Sequence, residues 1–303
     1  VVATLKTHPL RDDRFFYAQI TQFICHSEDE LAPWWVTLAR HEQPREPVQG
    51  QDHYEIQDQE TRENLTALHF VTIDSETTQD MDDALYIEPI TSNGEQTGWQ
   101  LVVAIADPTA YISLNSQIEK YAKQRCFTNY LPGFNIPMLP RELSDELCSL
   151  KPHETRLALV CYIQTDLQGN ISAPAKFVLA DVQSKDKLTY NQVSDYLEGK
   201  DNAWQPENQE TAQQIHWLHQ FTLTRTQWRK THALLFKEKP DYSFVLAENG
   251  KVQEIKAEYR RIANQIVEES MIIANICAAQ FLHENLQCGI FNTHSGFDKK
   301  FLE

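Results

Sequence analysis

The segment FVTIDSETTQDMDDALYI, residues 70–87, joins an apolar run to four aspartates. The run FVTI predicts a buried strand that ends at Asp74, because a short apolar stretch bounded by polar turn residues is typical of one. Asp80, Asp82 and Asp83 follow the five-residue loop SETTQ, and we expect them to begin the next element. A loop of this length can fold back, so that Asp74 faces the later group.

Four carboxylates this close together repel one another, and a bound cation or a shared proton relieves the repulsion. Oxygen donors suit a hard cation such as Mg²⁺ or Mn²⁺, and the segment has no His or Cys that would favour zinc. An EF-hand loop is excluded, because Gln79 and Leu85 stand where that motif needs Gly and Glu. Capping explains one such aspartate more easily than four. The pattern therefore predicts a metal site of the kind used in phosphodiester hydrolysis.

The composition predicts a soluble globular protein. The chain has 303 residues, of which 41% are hydrophobic and 23% are charged, enough for one large domain or a medium domain with part of a second. It has no long apolar stretch, and its start lacks the apolar core of a signal peptide, so we expect no membrane segment. Six scattered cysteines without a C-x-x-C pair indicate a reducing compartment, and we expect a cytoplasmic location.

The net charge of −16 argues against nucleic-acid binding, because phosphate-binding proteins usually carry a basic excess. Taken alone, it indicates an acidic soluble enzyme. Net charge is an average, however, and an acidic enzyme can still carry a local basic groove.

The sequence pattern changes along the chain. Residues 1–45 contain β-like stretches, and the polar segment 41–64 is typical of a linker with a short helix. From Leu65 onward strands and helices alternate. The segment GWQLVVAIADPTAYI predicts a buried strand that ends at Asp107-Pro108. Two further strands are predicted over residues 157–163 and 177–182, and a long helix over residues 210–232.

A second long helix is predicted over residues 260–282. Apolar residues fill one half of its helical wheel, whereas Arg261, Asn264, Glu268 and Asn275 cluster on the other half. This narrow polar stripe fits a helix that presents polar groups to a site, but it fits a plain amphipathic helix equally.

Longer motifs carry a family resemblance. The run TIDSETTQDMDDALYI, followed by LVVAIADPTAYI and FTNYLPGFNIPMLPRELSDELCSLKPHETRLAL, closely resembles the catalytic RNB domain of the ribonuclease II family. Members of that family are bacterial exoribonucleases that degrade single-stranded RNA from the 3′ end. The resemblance covers nearly the whole chain. It implies an α+β fold, with a mixed β-sheet RNB domain and surrounding helices, preceded by part of an all-β OB (cold-shock) domain.

The resemblance also implies domain boundaries. Residues 1–45 would end the second cold-shock domain, residues 46–66 would be a linker, and residues 67–303 would form the RNB domain. The family places a catalytic arginine and a basic S1 domain further downstream than Glu303. We therefore expect a fragment that is weakly active or inactive, and the missing basic parts would explain the charge.

By resemblance, Asp74, Asp80, Asp82 and Asp83 match the four active-site aspartates and would all contact metal. Asp74 and Asp83 would be the firmer ligands. Asp80 and Asp82 would be catalytic, and loss of Asp82 should stop chemistry most directly. Two-metal hydrolysis with Mg²⁺, or with Mn²⁺ in its place, would release nucleoside 5′-monophosphates.

Four further residues match RNA contacts of the family. Tyr130 and Phe236 match the aromatic pair that clamps the terminal bases, where stacking is worth roughly 1–3 kcal/mol per base. Tyr190 matches the residue associated with preference for RNA over DNA, and Glu268 matches a carboxylate that contacts the last nucleotide. Without the motifs, a lone Tyr or Phe is more often a core residue. Asp107, before a proline, is most simply a turn residue, and we leave it outside the site.

Three functions follow from these residues. The leading one is part of a processive, metal-dependent 3′→5′ exoribonuclease acting on single-stranded RNA, without a preference for DNA and as a monomer. A metal-dependent phosphatase or endonuclease could use the same aspartates. The third is an RNA-binding or regulatory module whose site is catalytically incomplete, which the missing arginine favours.

Overall fold

The computed structural model describes residues 1–6, 17–51, 53–57, 60–233, 239–247, 250–289 and 291. In chain order the elements are β1 (Val2–Leu5), β2 (Ala18–Gln22), α1 (Ala32–Arg40), β3 (Glu63–Asn64), β4 (Phe70–Asp74), β5 (Asp83–Ser92), β6 (Glu95–Ala106), α2 (Gln117–Arg125), β7 (Asn129–Leu131), β8 (Phe134–Ile136), β9 (Thr155–Asp166), β10 (Lys176–Thr189), α3 (Tyr190–Leu197), α4 (Gln209–His232), β11 (Asp241–Leu246), β12 (Val252–Glu258) and α5 (Ile262–Leu286). A 3₁₀ turn at Pro108–Tyr111 and one π-helical turn at Glu142–Leu147 complete this set.

The chain divides into two compact units. Unit 1 contains Val1–His53, Ile112–Arg141 and Pro240–Glu258, and unit 2 contains Tyr54–Tyr111, Glu142–Lys239 and Tyr259–Glu303. Each unit is therefore built from separate stretches of the sequence. The predicted domain boundaries after residues 45 and 66 stay a prediction.

Unit 2 is organised around one mixed sheet with the strand order β3-β10-β4-β5-β6-β9. Strand β10 pairs in parallel with β4 and antiparallel with β9, so the sheet closes on itself. The remaining pairs, β4–β5, β5–β6 and β6–β9, are antiparallel. Strands β10, β4, β5, β6 and β9 therefore each have a hydrogen-bonded neighbour on both sides, which protects them from pairing with another chain.

The apolar run of β4 forms the predicted strand because both of its faces are buried. Phe70 and Val71 are fully buried, and they belong to two different core clusters. Successive side chains on a strand point to opposite faces, so one cluster fills the inside of the closed sheet. The other cluster includes Leu188 of β10 and Phe221 of α4, and it lies between the sheet and the helices.

Two glycines are required by the local geometry of this sheet. Asn93 and Gly94 form the two-residue turn between β5 and β6, and both have positive φ angles, 54° and 84°, as a type I′ hairpin turn demands. At Gly98, a Cβ atom would lie 2.0 Å from the backbone oxygen of Thr165 on β9. Only glycine therefore allows β6 and β9 to approach this closely.

Helices α3, α4 and α5 cover the outer face of the sheet. These helices contribute eight buried side chains to the outer cluster, namely those of Val193, Ile215, Leu218, Phe221, Ala263, Ile266, Ile273 and Cys277. Helix α3 begins with a capping box, in which the side-chain oxygens of Thr189 and Gln192 each accept a hydrogen bond from the backbone amide of the other residue. The predicted α+β class, with a mixed sheet and surrounding helices, is confirmed.

Unit 1 contains three small antiparallel pairs, β1–β2, β7–β8 and β11–β12, together with α1 and α2. All residues of β1, β2 and β12 are exposed. In this unit Trp34 of α1 donates its indole N–H to the Pro132 oxygen at 3.1 Å. The predicted OB assignment of residues 1–45 stays a prediction.

Most predicted elements agree with the structure. The helix expected over residues 210–232 is α4, and the helix expected over residues 260–282 is α5, which continues to Leu286. The short helix expected in residues 41–64 is wrong for the described part of that segment, which contains β3 and otherwise irregular backbone. Among the described residues, we find no helix with the length and apolarity needed to span a membrane.

Candidate active site

The aspartates lie where the ends of three strands meet at one rim of the closed unit 2 sheet, which is called its edge below. Strand β4 ends at Asp74, whose backbone partner on the parallel strand β10 is Thr189. Tyr190 follows Thr189 directly as the first residue of α3. Strand β5 runs the other way and begins at Asp83. Two parallel strand ends and one antiparallel strand start therefore bring Asp74, Asp83 and Tyr190 to the same edge.

The connection between Asp74 and Asp83 differs from the predicted one. The element after the loop was expected to start at Asp80, but β5 starts at Asp83. Asp80 and Asp82 therefore belong to an eight-residue loop, residues 75–82, rather than to a strand. The Asp82 backbone oxygen accepts a hydrogen bond from the Ala106 amide at 2.8 Å, so pairing with β6 begins at the end of this loop.

The aspartates are close enough to change one another's acidity. Burial, and then the charge of Asp83, raise the pKa of Asp74 to about 7, with smaller contributions from Asp82 and Asp80. Burial, followed by the charge of Asp82, raises the pKa of Asp83 to about 6. Ionisation of both carboxyl groups is therefore less favourable than in water, and a cation beside them would stabilise the ionised forms.

Asp82 also has a raised pKa, of about 6, caused first by burial and then by the charges of Asp80 and Asp145. Its residue surface is exposed, although protein atoms surround much of the carboxyl group. The negative charges of Asp80 and Asp145 both favour the protonated form of Asp82.

Tyr190 shares this environment. Burial, and then the negative charges of Asp74 and Asp83, raise the pKa of its phenol to about 12. At neutral pH the hydroxyl group is therefore protonated and able to donate a hydrogen bond. The structure brings this predicted RNA contact together with the predicted metal ligands.

Glu268, Tyr130 and Phe236 are the other three predicted RNA contacts. Glu268 lies on α5, where it pairs with Arg229 at 3.4 Å and with Arg260 at 2.5 Å. Tyr130 lies on β7 in unit 1, and 70% of its surface is exposed. Phe236 lies outside the described residues.

Lys187 is a charged neighbour of the cluster that the sequence interpretation missed. It lies on β10, paired with Thr72 of β4. Its ammonium group donates a hydrogen bond to the Thr78 backbone oxygen at 2.6 Å, and its positive charge lowers the pKa of Asp74. The signal in the sequence was a lysine three residues before Tyr190, but only strand pairing places it beside the loop.

Asp145 is a second missed residue, on the π-helical turn of the motif RELSDELCSL. Its charge is one cause of the raised pKa of Asp82. Asp107, left outside the site as a turn residue, directly precedes the 3₁₀ turn at Pro108–Tyr111 and also forms a buried ion pair with Arg62 at 3.1 Å.

The cluster fits a hard cation by chemistry rather than by a finished coordination shell. Its donors are carboxylate oxygens, which Mg²⁺ and Mn²⁺ prefer. Within the described ranges, however, no three His, Cys, Asp or Glu side chains are arranged so that they could hold a metal ion. The closeness of the aspartates is therefore evident from their effects on one another's pKa and not from a set of converging ligands. Asp74, Asp80, Asp82 and Asp83 remain predicted ligands.

Comparison with known proteins gives a consistent result. The RNB domain family matches residues 62–303. Exoribonuclease 2 of Haemophilus influenzae (strain 86-028NP) is 82% identical over 303 residues, which is 100% of this chain and 46% of that protein. The chain thus spans about half the length of the curated relatives it matches.

Solved structures show the same similarity at lower identity. The structure of Mycoplasma genitalium RNase R in complex with double-stranded RNA matches with a TM-score of 0.82 and 27% identity, covering 94% of this chain and 50% of that one. The same enzyme in complex with ribose methylated single-stranded RNA matches with a TM-score of 0.79 and 28% identity, covering 89% and 42%.

Proposed function

The chain belongs to the RNB domain family, and from this premise we propose that it carries the active-site aspartates of a processive 3′→5′ exoribonuclease. The substrate would be single-stranded RNA, and the products nucleoside 5′-monophosphates. The observation that supports this most is the group of three aspartates with raised pKa beside a protonated tyrosine at one sheet edge. The family is generally metal-dependent, and we propose Mg²⁺, with Mn²⁺ as a substitute.

Asp74, Asp80, Asp82 and Asp83 would hold the cation. A divalent cation bound there would activate water and offset the charge that develops on the phosphate. Asp82 has a pKa of about 6, so its carboxylate can accept a proton near neutral pH. We propose that loss of Asp82 abolishes hydrolysis while leaving RNA binding largely intact.

Tyr190 would discriminate RNA from DNA. Its neutral hydroxyl group at the aspartate edge can donate to a ribose 2′-hydroxyl, a partner that DNA lacks. Tyr130, Phe236 and Glu268 would contact the terminal nucleotides. The same proposal includes action as a monomer in the cytoplasm, where the six cysteines, all free thiols in the structure, would stay reduced.

Two measurements test this proposal. The first is calorimetric binding of Mn²⁺ to the 303-residue chain, compared with Asp74→Asn and Asp83→Asn. Saturable binding that either substitution weakens strongly is expected. Binding that neither substitution changes would contradict the assignment of the ligands.

The second measurement follows a 5′-labelled single-stranded RNA in the presence of Mg²⁺, with Asp82→Asn as the control. Direct conversion of the label to a short 5′-terminal product, with few intermediates, supports the processive exoribonuclease, whereas early long 5′-labelled fragments of discrete length support an endonuclease. Mn²⁺ binding without any cleavage would favour the alternative of an RNA-binding or regulatory module.

A further inference from the structure

The loop that carries Asp80 and Asp82 is held by a residue outside the acidic cluster. The Ser149 hydroxyl group donates a hydrogen bond to the Gln79 backbone oxygen at 2.7 Å. The Ser149 hydroxyl oxygen in turn accepts a hydrogen bond from the Met81 amide at 3.1 Å. Gln79 and Met81 are the two neighbours of Asp80, so one hydroxyl group fixes the backbone on both sides of this aspartate.

Buried and hydrogen-bonded neighbours hold Ser149 in place. Ser149 and Leu150 are buried, with 0% and 1% of their surface exposed, and Met81 is 3% exposed. The Leu150 amide donates to the Met81 oxygen at 2.8 Å, and both side chains belong to the inner core cluster. Arg156 in turn donates its Nε hydrogen to the Ser149 oxygen at 3.0 Å. A group can position another only when its own neighbours hold it in place, and Ser149 meets this condition.

The loop needs such a support because it carries charges that repel one another. Repulsion among Asp74, Asp82 and Asp83 would drive residues 75–82 toward conformations in which the carboxylates lie further apart. Ser149 is neutral, so it resists this movement by hydrogen bonding alone and leaves the charge of the cluster unchanged.

We infer that Ser149 is a positioning residue, which sets the place of Asp80 and Asp82 relative to Asp74 so that the cluster can take a divalent cation. This inference rests on the proposed function. In this role Ser149 would contact neither the cation nor RNA. It acts only through the backbone of the loop.

The experiment compares Ser149→Ala with a matched control, Ser184→Ala, in the 303-residue chain. Ser184 is also buried and also donates to a backbone oxygen, that of Asp186 at 3.1 Å, but it lies on β10 away from the loop. Urea unfolding measures the loss of stability in both variants. If Ser149→Ala does not fold, Ser149→Cys takes its place, because the thiol has a similar shape and is a weaker hydrogen-bonding group.

Two readouts are taken at equal folded fraction. Hydrogen exchange of peptides covering residues 75–83 should speed up about tenfold in Ser149→Ala and stay unchanged in Ser184→Ala, because an amide that loses its partner opens more often. Mn²⁺ affinity, measured by calorimetry, should weaken by about tenfold in Ser149→Ala only, since the loss of one buried hydrogen bond is of that size.

The possible outcomes are distinct. Exchange and affinity that change only in Ser149→Ala support the inference. Unchanged Mn²⁺ affinity in a folded Ser149→Ala variant overturns it, and so does an equal loss of affinity in Ser184→Ala. If the unsubstituted chain binds no Mn²⁺, the proposed metal site itself is wrong. This outcome is recognised from the unsubstituted chain alone, before any variant is compared.

Discussion

At the scale of single residues, Asp74 illustrates how an acidic cluster opposes folding. Its pKa is about 7 in the folded chain, compared with an ordinary value of 3.8. The folded chain therefore binds this proton more tightly than the unfolded chain does. The contribution of Asp74 to stability is complete below pH 4 and is lost as the pH rises through 7.

Substitution of Asp74 by Asn should remove this pH dependence. In a buffer with a metal chelator, the difference in unfolding free energy between wild type and Asp74→Asn should shift against the wild type by on the order of 2 kcal/mol from pH 4 to pH 7.5. Urea unfolding at several pH values measures this difference. Asp201→Asn, at an exposed position, serves as the control. A difference for Asp74→Asn that is independent of pH would contradict the raised pKa.

Lys187 should set the lower pH limit of cation binding. Its charge lowers the pKa of Asp74, so Lys187→Met should raise this pKa further. Binding of Mn²⁺ needs ionised carboxylates, and its midpoint should therefore move upward by roughly 0.5–1 pH unit. Calorimetry between pH 5.5 and 8.5 measures the midpoint.

The control for this prediction is Lys185→Met. Lys185 lies on the same strand, and its ammonium group also donates to a backbone oxygen, that of Thr66 at 2.7 Å. Thr66 belongs to a segment without the clustered aspartates. A midpoint that moves equally in both variants would show a general effect of charge rather than an effect of Lys187 on Asp74.

At the scale of elements, the sequence predicts those parts that local pattern determines. The apolar run before Asp74 forms β4, and the Asp107-Pro108 pair ends β6. The start of β5 was placed too early, because charge and length within residues 75–82 do not show where pairing with β6 begins. Lys187 and Ser149 could not be predicted as neighbours of the loop, since sheet pairing and core packing bring them there from distant positions.

Gly98 tests the closed sheet. A Cβ atom at this position would lie 2.0 Å from the Thr165 oxygen, so Gly98→Ala must push β6 away from β9. We expect a loss of roughly 3 kcal/mol or more in unfolding free energy. Gly199→Ala is the control, because Gly199 has a positive φ of 66° but open space around it, and it should cost only about 1 kcal/mol. Equal losses in urea unfolding would contradict the close approach of the two strands.

Arg261 should hold α3, the helix that begins with Tyr190. Its guanidinium group pairs with Asp195 and with Glu198 at 2.8 Å, and the Ala263 amide donates to the buried Ser194 hydroxyl at 3.2 Å. Arg261→Met removes the ion pairs and keeps the apolar stem of the side chain. The amides of α3 should then exchange about three- to tenfold faster.

Lys200→Met provides the comparison for Arg261→Met. Lys200 pairs with the same Asp195 at 2.8 Å, but it is more exposed and does not connect α3 to α5. An exposed ion pair contributes little, so this variant should leave exchange in α3 unchanged. Faster exchange in both variants would assign the effect to the charge of Asp195 alone.

At the scale of the whole molecule, the two compact units differ in how much apolar surface they bury. Both core clusters consist of residues from unit 2 alone. In unit 1, the strands β1, β2 and β12 are exposed along their whole length. Burial of apolar surface is the main source of stability, so unit 2 should be the more stable of the two. The aspartates, Ser149 and Lys187 all belong to unit 2.

Unit 1 should therefore open at a lower urea concentration than unit 2, and the aspartate edge should survive this opening. Hydrogen exchange along a urea titration measures the two units separately, and Mn²⁺ binding is followed in the same samples. We expect a range of roughly 1 M urea in which peptides of unit 1 exchange freely while those of β4 and β5 stay protected. Mn²⁺ affinity should change less than about twofold in that range. A single transition, with both units and Mn²⁺ binding lost together, would mean that the aspartate edge depends on unit 1 for its stability.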